Sequence, residues 1–233
     1  MTLAAPLDAA ANAPLRALAD ITGNHHVLLL LARPEDAALA CAGFIAESCA
    51  RGRSAFVLVM TDGSSSPAGS SECPPDSLAQ MRERETRAAL ALLGQPHEKI
   101  LMAGIIDGSI PDTGPRFETL VTSVDMIMWA RDCHAICAPG ADWDSPAHQK
   151  VRALAAAVAG RTDLPLLGYG APENALSAPD EGRLGIAAHR AAKAAAIVAM
   201  ESQLGAITDV AAPLTPADVT TATALPYEVI LPG

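Results

Sequence analysis

The chain has 233 residues, half of them hydrophobic but only 3% aromatic, and a formal net charge of −10. That length fits one α/β domain with an extension, and its core must be built from Ala, Leu, Val and Ile. The acidic balance argues against a nucleic-acid backbone or an anionic bilayer as the main partner and leaves room for a local basic pocket. No run of about 18 apolar residues predicts a membrane span. No basic region followed by an apolar stretch marks the N-terminus as a secretory signal. Five cysteines at irregular spacing point to reduced thiols and a cytoplasmic location.

Residues 1–24, rich in Ala and carrying Pro6 and Pro14, read as an N-terminal extension with a short amphipathic helix around Leu15 to Ile21. Residues 25–233 are expected to form one domain with a C-terminal tail. Val27 to Leu31 is an apolar run bounded by a turn, the pattern of a buried parallel strand. Ala32-Arg33-Pro34-Glu35-Asp36 follows; the proline bars helix at Arg33, and both carboxylates fall in a first helical turn, where they are favoured. The alanine-rich run Ala37 to Cys49 predicts a helix, closed by Arg51-Gly52-Arg53. His25 and His26 lie at the other end of the strand, away from this corner, and are not expected to be ligands.

Ala55 to Met60 predicts a second strand, ending in Thr61-Asp62-Gly63. Residues 63–76 form a polar, Pro- and Ser-rich loop, long for a connection and leaving the same sheet edge, where it would cover a pocket. Ser77 to Gly94 reads as a helix in which Arg82 and Glu85 stand three apart. By spacing alone they make a solvated ion pair worth a few tenths of a kcal/mol. A third strand over Lys99 to Ala103 leads to Asp107-Gly108-Ser109-Ile110, a helix to Arg116–Arg131, and a fourth strand to Ala135–Ala138. Cys133, His134 and Cys137 belong in or beside that strand and are read as buried packing, not as a metal cluster. The loop Asp142-Trp143-Asp144-Ser145-Pro146-Ala147-His148 comes next, with His148 in the first turn of a helix running to Ala159. A fifth strand over Leu164 to Tyr169, a polar loop at 171–181, a helix from Arg183 to Leu204 and an edge strand at Glu228–Leu231 complete the chain. Strands alternating with helices predict an α/β fold: three layers, a mostly parallel, Rossmann-like sheet with helices on both faces. Ligands of such sheets bind at the carboxyl ends of the strands.

Taken in order, these corners resemble the LmbE/PIG-L deacetylase family from about residue 26 to 203. Ala32 to Ala37 fill the six places of its Ala-His-Pro-Asp-Asp-Glu motif, and Thr61-Asp62-Gly63 matches its Thr-Asp-Gly. Arg82 and Glu85 fit its Arg-x-x-Glu pair, and Asp107-Gly108-Ser109-Ile110 resembles its Pro-Asp-Gly-x-Leu. Pro146 and His148 remain from its His-Pro-Asp-His, and Ser202-Gln203 from its His-x-Ser-Gln, with Met200 in the place of the histidine. The resemblance implies zinc-dependent hydrolysis that removes an acetyl group from an amino-sugar amide. It assigns zinc ligands to positions 33, 36 and 148, the general base to position 35 and oxyanion stabilisation to position 145.

Zinc polarises the amide carbonyl and lowers the pKa of its bound water, and a catalytic site needs three protein ligands and an open position. Here Asp36 and His148 survive as metal ligands, but Arg33 stands where the first histidine should be. A guanidinium is always protonated and has no lone pair to donate. The base place holds Glu35, one methylene longer than Asp, and the oxyanion place holds Ser145, which carries no charge. The expectation is therefore weak or absent zinc, impaired hydrolysis and a pocket for a sugar-like or anionic small molecule, with Arg33, Asp62, Arg82, Asp107 and Asp144 around it. In that pocket Arg33 pairs with Glu35 or Asp36, or anchors a carboxylate or phosphate. The alternative is an active deacetylase with a rebuilt metal site of Asp36, His148 and either Asp144 or Glu35, with Asp142 a further candidate. A nucleotide-binding reading lacks the glycine-rich fingerprint after the first strand. Composition names neither the substrate nor an oligomeric state.

Overall fold

The structure is a computed structural model and describes residues 14–66, 69–177 and 179–232. Five strands run parallel: β1 (Val27–Leu31), β2 (Phe56–Thr61), β3 (Ile100–Ile105), β4 (Ala135–Pro139) and β5 (Leu166–Tyr169). With β6 (Arg183–Gly185) and β7 (Tyr227–Pro232) they form one seven-stranded sheet in the order β3-β2-β1-β4-β5-β7-β6. The expected mostly parallel architecture is what the chain adopts. One sheet edge is covered by the chain itself, since Arg16 bridges to Leu184 of β6.

Side chains alternate across the pleat. Leu29 and Leu31 of β1 enter one apolar layer with Val57, Phe44, Ile45, Leu90 and Ile197. Leu28 and Leu30 enter the other with Met60, Val124, Val151 and Leu154. The first layer is made by α1 (Leu18–Thr22), α2 (Asp36–Leu39), α3 (Ala42–Ala50), α4 (Pro75–Leu92) and α7 (Arg190–Val198); the second by α5 (Gly114–Ala130) and α6 (Pro146–Thr162). The four leucines of β1 are fully buried, and each contributes on the order of 1.5–3 kcal/mol. An apolar run without alternation is what a strand covered on both faces requires.

Four expectations are corrected. The helix expected over Ala37–Cys49 is broken at Ala40 and Cys41 into α2 and α3. The break creates a second helix N-terminus, whose free amides of Gly43 and Phe44 donate to the Glu228 carboxylate at 2.8 and 2.9 Å. A carboxylate there satisfies orphan donors and meets the positive end of the helix dipole. Gly43 is demanded by close approach, because a Cβ would lie 2.1 Å from Ile186 Cγ2. The helix expected over Arg183–Leu204 is only α7, with β6 and a 3₁₀ turn (Ala187–His189) before it and another 3₁₀ turn (Glu201–Gln203) after it. The strand near the C-terminus is no edge strand: β7 lies between β5 and β6, antiparallel to both. An unexpected helix, α8 (Pro216–Ala224), opens with a capping box between Thr215 and Asp218. Of the N-terminal extension, residues 1–13 lie outside the described residues; the rest packs through Arg16, whose amide donates to Arg183 O at 2.8 Å.

Candidate functional site

The chain moves from β1 outward through β2 and β3, then returns to place β4 on the other side of β1. The strand order therefore reverses between β1 and β4, and the crevice at the carboxyl ends of two such strands is where open α/β sheets bind ligands. The Arg33–Asp36 corner leaves β1 and the Asp142–His148 loop leaves β4, so the two stretches meet there although 112 residues separate Asp36 from His148.

Asp36 is the hub. Its Oδ1 lies 3.0 Å from His148 Nε2; its Oδ2 accepts from the Tyr169 hydroxyl at 2.8 Å and from the Arg33 amide at 3.0 Å. Tyr169 OH in turn accepts from the Ala32 amide at 3.2 Å. Asp36 is buried. Burial pushes its carboxyl up, but the His148 charge and the hydrogen bonds from His148, Arg33 and Tyr169 more than offset this and hold it below the ordinary value. An ionised carboxylate only accepts, so the proton between the pair sits on His148 Nε2. Burial, then the Asp36 charge, pushes the Tyr169 hydroxyl well above its usual range, which keeps it a donor. Trp143 closes the arrangement, stacked on His148 with ring centroids 3.9 Å apart and planes 6° from parallel. Its Nε1 donates to Tyr169 O at 3.0 Å.

Arg33 Nε lies 2.8 Å from Glu35 Oε1. The contact is an ion pair without hydrogen-bond geometry, since Arg33 Nε has no hydrogen-bond partner; Glu35 Oε2, the other carboxylate oxygen, has none either. The Glu35 carboxylate, with Asp36 and Asp107 further off, raises the Arg33 pKa against the opposing effect of burial. Arg33, Glu35, Asp36, Trp143 and His148 line a cleft of about 450 Å³, whose far wall is Pro172, Glu173, Leu214, Asp218 and Thr221. A patch of polar contacts ties the loop after β2 to the segment before α8: Asp209 accepts from the Ser70 and Ser71 hydroxyls, and Glu72 accepts from Thr208. Ser66 of that loop lines the cleft.

The other expected residues are placed as follows. Asp62 Oδ1 accepts from the Ser64 and Asp107 amides, so Asp62 and Asp107 join the loops after β2 and β3. Arg82 is fully buried and donates to Gly63 O at 2.8 Å, with Nε and Nη2 unpartnered. Glu85 accepts from the Ser202 amide and hydroxyl, so two of the matched motifs meet. Met200 is buried in the first apolar layer. Ser145 caps α6 without a side-chain hydrogen bond, and Asp144 is exposed; neither is among the residues that line the cleft. Asp142 Oδ2 accepts from the Ala171 amide at 2.8 Å. Among the described residues no group of three or more His, Cys, Asp or Glu side chains is arranged to hold a metal ion.

Sequence reasoning assigned no role to Tyr169 or Trp143. Both carried a signal: the chain has only two tyrosines and two tryptophans, and these two stand at the carboxyl end of a strand and in the loop after one.

The reversed strand order makes this a doubly wound α/β protein with an Asp–His pair at its crevice, and solved structures carry the same fold. N,N'-diacetylchitobiose deacetylase from Pyrococcus horikoshii superposes with a TM-score of 0.68 at 18% identity, over 92% of this chain and 87% of its own. The 4-carboxy-2-hydroxymuconate hydratase GalB from Pseudomonas putida KT2440 gives a TM-score of 0.69 at 15% identity, over 88% and 94%. The zinc-inhibited form of teicoplanin deacetylase Orf2 gives 0.63 at 16%, over 88% and 96%. No curated protein sequence matches the chain. Residues 28–159, more than half of the chain, match the PIG-L family, GlcNAc-PI de-N-acetylase, and the chain belongs to that family.

Proposed function

We propose that this protein keeps the sugar-sized cleft of the PIG-L family but not its zinc hydrolysis, and that it acts by binding a small sugar-like molecule at the carboxyl ends of β1 and β4. The observation that carries this reading is the pairing of Arg33 with Glu35 at 2.8 Å in the corner where the family's metal would sit. Three further features support it. Both Asp36 oxygens are engaged by protein donors. His148 Nε2 is committed as a donor to Asp36, so it offers no lone pair in this arrangement. The remaining family positions, Glu35 and Ser145, respectively pair with a cation and cap a helix. Two protein donors beside a fixed guanidinium do not fit a catalytic zinc, which wants three ligands and is repelled by a neighbouring cation.

A rebuilt site would need a third donor next to Asp36 and His148. Asp144 is exposed and outside the cleft lining, and Glu35 already faces Arg33. The test is elemental analysis of untagged, folded protein equilibrated with limiting zinc. The expected result is far less than one zinc per chain; one zinc per chain would overturn the proposal and direct the search to the replacement ligand.

A further inference from the structure

Away from the cleft, the last strand of the sheet leaves apolar surface uncovered. β3 ends the sheet, with β2 on one side and no strand on the other among the described residues. The opposite edge is covered by the chain itself, through Arg16. Between β3 and α5 runs a groove of about 740 Å³, lined by Leu58 and Met60 of β2, Leu101 and Ile105 of β3, and Leu120 and Ile127 of α5. Met126 also lines it and is 65% exposed; Trp129, three residues on and so its neighbour on the helix surface, is 87% exposed. Trp129 alone presents on the order of 200 Å² to water. Only Val121, Val124 and Met128 of α5 are buried, so this helix carries more apolar surface than the core receives.

Shape, charge and area together specify the occupant. A recess and two projecting side chains lie on one face, and a twofold contact between identical chains needs one patch that fits itself. The groove lining holds no carboxylate and one cation, Arg131, which lies over the Phe56 ring at 5.3 Å. Nearby, Glu118 pairs with Arg161, and Asp132 lies 3.6 Å from His134; Asp125 is the exception, partly buried. Two copies of a chain of net charge −10 repel each other, so they close best where carboxylates are absent or paired. A stable interface takes roughly 800 Å² from each partner. Trp129, Met126 and the partly exposed groove walls supply apolar area of that order, beyond the roughly 300–600 Å² of an ordinary monomer's largest patch. The backbone of β3 is not the joint: its register against β2 shifts after Val59, and Gly104 has a φ of 64°. Such a bulge blunts an edge against strand addition. We propose that this face joins two copies of the chain across a twofold axis, with Met126 and Trp129 of each copy seated in the groove of the other. The contact lies apart from the cleft and does not depend on the zinc-free reading.

The experiment is sedimentation equilibrium of the full chain over a concentration series. The mass is expected to be twice that of one chain in the micromolar range and to fall towards one chain on dilution. Trp129→Glu together with Met126→Glu, both at exposed positions, should weaken association roughly a hundredfold or more. Val198→Glu, at an exposed apolar position on α7 in the other layer, should leave it within twofold. Circular dichroism checks the fold of each variant. Should the double variant lose its fold, Trp129→Ala, which only shortens an exposed side chain, takes its place with a loss of about tenfold or more. Added salt should tighten the association by screening the repulsion between acidic chains. The mass of one chain at every concentration overturns the inference, even where some other partner binds this face. Association at wild-type strength in the folded Trp129 variants overturns it too, as does an equal loss in Val198→Glu. A mass of three chains overturns the twofold arrangement.

Discussion

At the scale of single residues, one substitution changes the chemistry of the corner. A histidine at position 33 would offer a lone pair; Arg33 offers a fixed charge, and Glu35 meets it at 2.8 Å. Changing Arg33→His together with Glu35→Asp should raise zinc affinity, read by metal analysis or calorimetry. Unchanged zinc binding would mean that the Tyr169 and Trp143 contacts also hold Asp36 and His148 in a geometry a metal does not accept. Asp36 gives a pH prediction. Its folded pKa is lowered from the ordinary 3.8, so its contribution to stability is complete above that value and is lost as pH falls through the folded pKa. Tyr169→Phe removes one donor and should cost about 1–3 kcal/mol near neutrality. The difference in stability between wild type and Asp36→Asn should be full at neutral pH and shrink below pH 3.8 in acid-unfolding curves. A gap that persists unchanged into strong acid would refute the assignment.

Among the elements, the broken first helix is the one on which the rest depends. By ending α2 after one turn, the chain puts the N-terminus of α3 against Glu228 of β7. Lys193 of α7 completes the contact, its Nζ 2.7 Å from Glu228 Oε1, with both side chains 3% exposed. The pair thus joins two helices to a strand close to the C-terminus. Breaking a buried pair from one side leaves an uncompensated charge. Lys193→Met should therefore destabilise by about 3–5 kcal/mol, measured by urea unfolding. Replacing both partners with apolar residues should cost less than that single change, apart from the loss of the α3 cap. A Lys193→Met variant as stable as wild type would show that the helix amides alone suffice for Glu228.

Across the whole molecule, two apolar layers enclose the sheet while 26 carboxylates face 16 Lys and Arg. An excess of ten negative charges repels itself. Added salt screens exposed charges more than buried pairs such as Lys193–Glu228. Raising ionic strength should therefore raise the melting temperature, by scanning calorimetry. A fall would mean that attractive surface pairs outweigh the net repulsion. No helix among the described residues is long and apolar enough to cross a membrane.

The sequence by itself determined the elements whose signals are local. The leucines of β1, the apolar runs of β2 to β5 and the long helical stretches that form α4 to α6 state their own type. Together with the ordered corners at Arg33, Asp62, Arg82, Asp107 and His148 they carried the parallel sheet and the family. Tertiary structure alone decided what depends on distant partners. Nothing near Ala40 announces a helix break, because the carboxylate that caps the new end lies at position 228. Nothing in Arg183-Leu184-Gly185 outweighs the alanine-rich run that follows until β7 offers its edge. The same holds at the site: the residue types at 33, 35, 36 and 148 were legible, but their partners were not. That Tyr169 donates to Asp36, that Trp143 covers His148 and that Glu35 keeps a free oxygen follow from packing β1, β4 and β5 side by side. Hydrogen bonds across more than a hundred residues are set by that packing, and no local pattern encodes them.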